Sequence, residues 1–328
     1  MSVSPMTLAH HARVIFTEAL AAVDIPSAIR RHLSLNAETL TLHNISTPIA
    51  NLDALQIIAI GKAAVPMYQA AAEALASIPH RAVVISPEPP PSTPIVQHLL
   101  GPHPSPTAAS LEAAQAVLDL LAQATERTAV LFLISGGASA MFDAPLDPAI
   151  TLDDLILFHR TLVASGLPIA QMNTLRKHIS AVKGGRLALA AAQHASPAPV
   201  QCTLLISDVP SATPDAIGSG PSLPDPTTLA NAQEILSRLP NRANLPRSIL
   251  QLLENPHTPE TPKPTDSAFS RATHSVILSS EDLAIAAARA AEIHGFHTTI
   301  DNTPDDLPFD QAATYLLDRA QALAQHHP

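Results

Sequence analysis

The 328-residue chain contains no tryptophan, only 3% aromatic residues and a single cysteine, Cys202. One cysteine excludes an intramolecular disulfide and any zinc site built from several thiolates. Because aromatic side chains are so few, the 46% of hydrophobic residues must form a core mainly from Leu, Ile, Val and Ala. This composition favours helices packed closely on a sheet.

Basic residues are also scarce, since 18 Lys and Arg stand against 28 Asp and Glu and give a formal net charge of −10. Nucleic-acid binding needs many cations to neutralise phosphates, so we expect no nucleic-acid partner. The chain has no apolar run long enough to cross a bilayer, and its first residues lack the order of a secretory signal. We therefore expect a cytoplasmic protein without a membrane partner.

Short apolar runs alternate along the chain with segments of helical periodicity, two of which predict helices over residues 153–165 and 172–192. The runs that indicate buried strands are residues 56–60, 81–85, 129–134 and 202–206. Continuous apolar strands separated by helices predict an α/β fold with a doubly wound, mainly parallel sheet and helices on both faces, as in Rossmann-like proteins.

The length exceeds what one hydrophobic core usually holds. We expect a Rossmann-like domain over residues 1–254, a Pro- and Thr-rich linker over 255–271, and a smaller, incomplete α/β lobe over 272–328. Within this lobe the pattern predicts strands at 274–278 and 297–300, each followed by a helix.

Four of the few basic residues lie in one short segment, which suggests an anion site: Arg176, Lys177, Lys183 and Arg186. Asn173, Arg176 and Lys177 share a helix face by their spacing, and that face suits a carboxylate and hydroxyl groups. A solvated basic helix face is the alternative. Gly184 and Gly185 interrupt the helix after Lys183, to which we assign a phosphate contact; a new helix starting at Gly185 is the other interpretation.

Three predicted strands end in residues that suit phosphate chemistry. Lys62 follows the first run, and Ser135, Gly136, Gly137 and Ser139 follow the third, where backbone amides can approach a phosphate. Carboxylates and small residues follow the fourth run: Asp208, Asp215, Gly218, Ser219, Gly220 and Asp225. For Lys62 the alternative is a solvated lysine, and for Asp208 a loop aspartate that caps nearby amides.

Several of these segments, in this order, resemble the glycerate 2-kinase family, whose members end in a MOFRL domain: IAIGKAAVPM, GPHPSP, LISGGASAMFDAP, MNTLRKHISAVKGGRLA and LLISDVPSATPDAIGSGPSLPDPTT. The resemblance implies transfer of the γ-phosphoryl group of ATP to the 2-hydroxyl of D-glycerate, with Mg²⁺. Lys62 and Asp208 are then catalytic, and Asp208 and Asp215 hold the metal. Asn173, Arg176 and Lys177 bind glycerate. The nucleotide is then bound by Ser135, Gly136, Gly137, Ser139, Lys183, Gly218, Ser219, Gly220 and Asp225.

The sequence departs from the family pattern in two places. Ala138 stands where a third glycine is usual, which matters if that position needs positive φ. Family members also continue well beyond position 328, through the MOFRL part. The expectations are that the chain forms a homodimer, that a separate chain supplies that lobe, or that the chain binds ligand without turnover.

Two other enzyme classes fit less well. A hydroxypyruvate reductase using NAD(P) would need G-x-G-x-x-G, but Gly61 is followed by KAAVP. A serine hydrolase using Ser135 or Ser139 would need G-x-S-x-G, which Ala140 and Met141 do not provide.

Overall fold

A computed structural model describes residues 5–207, 213–303 and 307–326. The chain forms two compact units, one of residues 25–278 and one of the first 24 residues together with 279–328. In the part of the chain that the structure describes, no helix is long and apolar enough to cross a membrane.

The larger unit is built on a six-stranded parallel sheet. In chain order, the strands are β1 (Leu33–Leu35), β2 (Thr39–Leu42), β3 (Ile45–Pro48), β4 (Ala54–Ile60), β5 (His80–Ser86), β6 (Val96–Leu100), β7 (Thr128–Ile134), β8 (Val200–Ile206) and β9 (Ala272–Leu278). The parallel sheet has the order β6-β5-β4-β7-β8-β9, and β1 to β3 form a separate antiparallel sheet. Six strands that run outwards in both directions from the first are the Rossmann-type order, which confirms the predicted fold class.

Twelve helices surround or follow the strands in the described residues. They are α1 (Pro5–Ala22), α2 (Ile25–His32), α3 (Ala64–Ala74), α4 (Ala108–Leu121), α5 (Ala138–Met141), α6 (Leu152–Val163), α7 (Ile169–Ile179), α8 (Arg186–Ala192), α9 (Leu229–Arg238), α10 (Arg247–Glu254), α11 (Ser280–Ile293) and α12 (Phe309–His326). Capping boxes at Thr107, Thr151 and Thr228 fix where α4, α6 and α9 begin.

Two apolar clusters hold the larger unit together. One joins the sheet to α4 and α8 and includes Ile58, Phe132 and Val117. The other joins α6, α7, α9 and α10 through residues such as Phe158 and Leu175. The second cluster fixes α6 and α7 beside the carboxyl ends of the strands, and these two helices supply one wall of the site described below.

Local structure differs from the sequence predictions in several places. The sequence did not predict α2, the antiparallel sheet or β6. The predicted strand at 297–300 has no regular structure, so that prediction was wrong. The single helix predicted over 172–192 is two helices, because α7 ends at Ile179 where Ser180 is extended, and α8 begins only after Gly184 (φ +58°) and Gly185 (φ +86°). Gly185 caps α8, as the alternative interpretation of the two glycines expected.

The two units also divide the chain differently from the predicted boundaries. Strand β9 pairs with β8 throughout its length and so belongs to the main sheet. The segment 255–271 is packed against the larger unit, since Thr258 and Thr261 are buried and the Asp225 amide donates to the Pro262 carbonyl at 2.9 Å. The smaller unit contains α1, α11 and α12, with α1 packed on α11.

Candidate functional site

The site lies where the sheet reverses its direction of growth. The chain passes from β4 to β5 on one side, and β7 pairs with β4 on the other. The loops that follow β4 and β7 are therefore neighbours at the carboxyl edge of the sheet, which is where open α/β sheets bind ligands. These loops contain Lys62 and the glycines Gly136 and Gly137.

The two loops are locked together by short contacts. The Lys62 amide donates to the Gly136 carbonyl at 3.0 Å, and the Ala63 amide donates to Ser135 Oγ at 3.0 Å. Gly61 has φ +125°, and a Cβ there would collide with Ser135 Oγ and lie 2.5 Å from the Ser135 carbonyl oxygen. Ser135 is buried, so its hydroxyl fixes the loop and is not placed to contact a ligand.

Lys62 extends from this junction with an exposed side chain. A Cβ on Gly137 would lie 3.4 Å from Lys62 Cγ and Cε, so the lysine stem runs past the glycine. Gly137 has φ +86° and caps α5. Ala138 is the first residue of α5 and is not among the described residues with positive φ, so alanine is compatible with this position.

A cleft of about 600 Å³ opens beside the loops. Its polar residues and glycines are His103, Ser105, Gly136, Gly137, Ser139, His159, Arg160, Asn173, Arg176 and Gly218. The cleft therefore combines the loop after β7, the facing sides of α6 and α7, and the loop that contains Gly218. A larger groove of about 770 Å³ lies along β5, β6 and α4, away from the strand-end loops, and contains none of the predicted site residues.

A chain of hydrogen bonds joins α5, α7 and the 214–219 loop. Ser139 Oγ lies 2.8 Å from Ser219 Oγ, which donates to Asn173 Oδ1 at 3.1 Å. Asn173 Nδ2 donates to the Ala216 carbonyl at 3.2 Å. Ser219 is fully buried and has φ +62°, so its role in these contacts is to fix the loop. Gly218 permits close packing, because a Cβ there would lie 3.0 Å from Ala138 Cβ.

Arg176 is the cation that α7 presents to the cleft. Its Nη1 donates to Asn173 Oδ1 at 3.2 Å, and its buried Nε has no hydrogen-bond partner. Within the described ranges no carboxylate forms an ion pair with it. Burial lowers the pKa of Arg176, although a guanidinium stays charged at neutral pH. This group can accept an anion.

Lys177 and Lys183 are not placed in the cleft, in contrast to their predicted roles. Lys177 Nζ lies 2.7 Å from Asp215 Oδ2 and 3.2 Å from Asp225 Oδ1. Lys183 is fully buried, and its Nζ lies 2.6 Å from Asp143 Oδ2. Both ammonium groups are neutralised inside the protein, so a glycerate contact by Lys177 and a phosphate contact by Lys183 do not fit these positions.

The predicted carboxylates fall into three situations. Asp225 is fully buried and accepts hydrogen bonds from Thr227 and Thr261, so it is not placed to contact a nucleotide. Asp215 is partly exposed and binds Lys177. Asp208 lies outside the described residues.

Gly220 also lies away from the cleft, where its carbonyl accepts from the Gly185 amide at 2.8 Å. Among the residues that the structure describes, no three His, Cys, Asp or Glu side chains are grouped as a metal site. Asp215 is thus the one predicted metal ligand that can be placed, and its Oδ2 already accepts from Lys177.

The sequence analysis missed a buried polar network behind the cleft. His159 Nε2 lies 3.1 Å from Asp143 Oδ2, and Ser180 Oγ donates to Asp143 Oδ1 at 2.7 Å. Burial opposes ionisation of Asp143, but Lys183 and His159 outweigh it and hold the pKa of this carboxyl well below its usual range. The available signal was the polar His159 on the apolar face of the predicted helix at 153–165.

The fold and the cleft define an α/β protein with a candidate ligand site at the switch point of a Rossmann-type sheet. Residues 11–254 match the family described as a domain of unknown function, DUF4147, and the chain belongs to this family. It is 36% identical over 220 residues to a D-glycerate 2-kinase of Thermotoga maritima. The aligned region covers 66% of this chain and 49% of that protein.

Two further comparisons cover more of the chain. A glycerate kinase of Rattus norvegicus is 32% identical over 320 residues, covering 92% of this chain and 58% of the relative. The crystal structure of a glycerate kinase from Thermotoga maritima superposes with a TM-score of 0.69 at 29% identity, covering 89% of this chain and 64% of that one. The chain thus spans about half the length of the curated relatives it matches.

Proposed function

We propose that this chain is the nucleotide- and substrate-binding part of a glycerate 2-kinase, which transfers the γ-phosphoryl group of ATP to the 2-hydroxyl of D-glycerate. The observation that carries the proposal is one cleft in which Gly136 and Gly137 face the unpaired guanidinium of Arg176, with Lys62 beside the glycines. The relatives named as glycerate kinases support the choice of substrate.

The strand-end loops are the proposed phosphate site. Phosphoryl transfer depends on positioning and on positive charge near the transferred group. Lys62 supplies an exposed ammonium beside the glycines, and the backbone between Ser135 and Ala138 can approach a phosphate closely because Gly136 and Gly137 have no side chain. We assign Ser139 to the same site because it lines the cleft.

The α7 wall is the proposed glycerate site. Arg176 has the planar fork that matches a carboxylate, and Asn173 orients it through Oδ1. Lys177, by contrast, contributes through the ion pair that holds Asp215. We therefore propose Arg176 as the direct contact to the glycerate carboxylate, with Asn173 and Lys177 as positioning residues.

Mg²⁺ is proposed to be held by Asp208 and Asp215, which follow β8 in the sequence. Mg²⁺ needs only one or two carboxylates together with phosphate oxygens, and it neutralises charge on the nucleotide. Asp215 fits this role through its second carboxylate oxygen, because Lys177 binds Oδ2. Ser135, Lys183, Ser219, Gly220 and Asp225 are proposed to maintain the geometry of the site.

The cytoplasmic location and a partner that completes the length of the relatives stay predictions. The homodimer is tested by the oligomeric state of the purified protein, which light scattering measures, and the separate chain by whether turnover needs an added partner. A monomer that turns over without any added chain would contradict both.

The decisive experiment is to incubate the chain with MgATP and D-glycerate and to identify the product by phosphorus NMR. We expect 2-phosphoglycerate. Lys62→Met should abolish it, whereas Lys263→Met should not, because Lys263 is the one other lysine without a buried side chain and lies outside the cleft. Formation of 3-phosphoglycerate, or hydroxypyruvate reduction with a nicotinamide cofactor, would contradict the proposal.

A further inference from the structure

His159 is a buried titratable residue that none of the proposed roles uses. It lies on α6, is 7% exposed and lines the cleft. Its Nε2 lies 3.1 Å from Asp143 Oδ2, while Nδ1 has no hydrogen-bond partner among the described residues. A nearly buried imidazole with one nitrogen bonded and the other free resembles a ligand-binding group more than a packing residue.

The surroundings of Asp143 fix which nitrogen of His159 has the proton. Asp143 is ionised because Lys183 Nζ lies 2.6 Å from Oδ2 and Ser180 donates to Oδ1. An ionised carboxylate only accepts hydrogen bonds, so His159 Nε2 must donate to it. When the imidazole is neutral, Nδ1 therefore has a free lone pair. This is the arrangement in which an aspartate orients a catalytic histidine.

The charges that face His159 keep it neutral. Burial lowers the pKa of His159 most, Asp143 raises it, and Lys183 and Arg176 lower it again, so the net shift is downwards from 6.5. Arg160, its neighbour on α6, is exposed and also lines the cleft. Phe158 packs against the ring edge at 5.5 Å between centroids. Near pH 7 His159 is thus an acceptor.

We propose that His159 Nδ1 accepts the hydrogen of the substrate hydroxyl in the cleft, with Asp143 as the residue that positions the ring. This assignment rests on the proposed function and adds a catalytic residue to it. As the hydroxyl oxygen forms its bond to the γ-phosphorus, the bond from that phosphorus to the β-γ bridging oxygen breaks. The hydroxyl proton passes to Nδ1, ADP leaves with the bridging oxygen, and His159 then releases the proton to water.

Two substitutions separate the two nitrogens. His159→Gln retains a donor that can reach Asp143 but has no acceptor at the Nδ1 position. His159→Asn places an oxygen near the Nδ1 position and loses the reach to Asp143. The matched control is His178→Gln, because His178 is also buried and bonded to a carboxylate, at 2.9 Å from Glu260, but does not line the cleft.

Steady-state kinetics give the first readout. His159→Gln should lower kcat by about 100-fold, the lower end for loss of a general base, with a smaller change in KM. In the parent chain, kcat/KM should fall as the pH drops below 6.5 and His159 gains a proton. This acid limb should vanish in His159→Gln and persist in His178→Gln. Persistence of the limb in His159→Gln would overturn the assignment.

Nitrogen NMR of the imidazole gives a readout that does not need turnover. The His159 resonances, identified by their loss in His159→Gln, should show a protonated Nε2 and an unprotonated Nδ1. D-glycerate should shift Nδ1 in the parent chain. A protonated Nδ1, or no response to D-glycerate, would overturn the inference and leave the kinase proposal standing if product forms. A shifted Nδ1 without any phosphorylated product would support His159 as the hydroxyl acceptor and contradict the kinase proposal.

Discussion

The two walls of the cleft treat positive charge in opposite ways. On the strand-end wall, Lys62 leaves a tight junction of backbone contacts and keeps its ammonium exposed. On the helical wall, Lys177 and Lys183 follow Arg176 by one and seven residues, yet both are buried against carboxylates. Cations that are close in sequence thus divide into one, Arg176, that faces the cleft and two that are paired with buried or partly buried carboxylates.

This contrast has a physical basis. A buried lysine is tolerated only with a carboxylate partner, because the desolvation of an unpaired charge is costly. An exposed lysine at a strand end has no such requirement and remains available. The comparison predicts that substitutions in the buried ion pairs of the helical wall lower the free energy of unfolding, whereas substitution of Lys62 lowers activity alone.

The largest effect should come from Asp143→Ala, which leaves the ammonium of Lys183 buried and unpaired. We expect a loss of about 3–5 kcal/mol in the free energy of unfolding, measured with urea. The double variant Asp143→Ala with Lys183→Met should recover part of it, because no charge remains to be buried. A loss below about 1 kcal/mol would mean that this pair behaves as a surface ion pair.

The same pair predicts a pH dependence with a definite sign. The pKa of Asp143 is lowered in the folded state, so the unfolded chain binds the proton more readily. Its contribution to stability is therefore complete above its unfolded pKa of about 3.9 and is lost as the pH falls below it. Denaturation curves below pH 4 should be less pH-dependent in the double variant than in the parent chain.

The next largest effect should come from Gly61→Ala on the strand-end wall. The added Cβ would lie 2.5 Å from the Ser135 carbonyl oxygen at φ +125°. We expect a loss of about 2–4 kcal/mol from strain and overpacking. Gly166→Ala is the control, since Gly166 has φ +71° with no atom within 4 Å of the new Cβ, and it should lose only about 1 kcal/mol. Equal losses of unfolding free energy at the two sites would contradict the close packing of Gly61 against Ser135.

A smaller effect is expected for Ser139→Ala, which removes the 2.8 Å contact to Ser219 Oγ. Loss of one hydrogen bond should reduce the free energy of unfolding by about 1 kcal/mol. Measured KM for ATP sharpens the comparison. A higher KM with an unchanged free energy of unfolding would place Ser139 with the groups that contact the ligand. An unchanged KM with a lower free energy of unfolding would place it with the groups that maintain the wall.

The smallest change in stability should belong to Lys62→Met. The side chain is exposed, so the free energy of unfolding should move by no more than about 0.5 kcal/mol. Turnover should nevertheless be lost. A stability loss as large as that of Asp143→Ala would show that Lys62 is also a structural cation, and the contrast between the walls would fail.

The sheet and the strand-end loops could be predicted because their signal is local. The run at 129–134 is apolar throughout and is closely followed by Gly136 and Gly137, so one short segment predicts the strand, the turn and the candidate ligand loop. The same holds for Lys62 after the run at 56–60. Short strands such as β1, with three residues, leave too little pattern to detect.

The partners of the buried charges could not be predicted in the same way. Asp143 and Lys183 are 40 positions apart, and Lys177 and Asp225 are 48 apart, so only the folded chain shows that each lysine has a carboxylate. The basic segment therefore looked like one anion site, whereas the structure leaves Arg176 as the member that faces the cleft. His159 was missed because a histidine on an apolar helix face is usually a packed core residue.

The strand order also constrains how the chain can assemble during synthesis. Strand β4 is made first among the six and lies inside the finished sheet, and each later strand joins an edge that is already exposed, first β5 and β6, then β7, β8 and β9. No strand has to insert between two others. The growing polypeptide can thus extend a native sheet outwards, and both strands of the glycine junction, β4 and β7, are synthesised before α6 and α7.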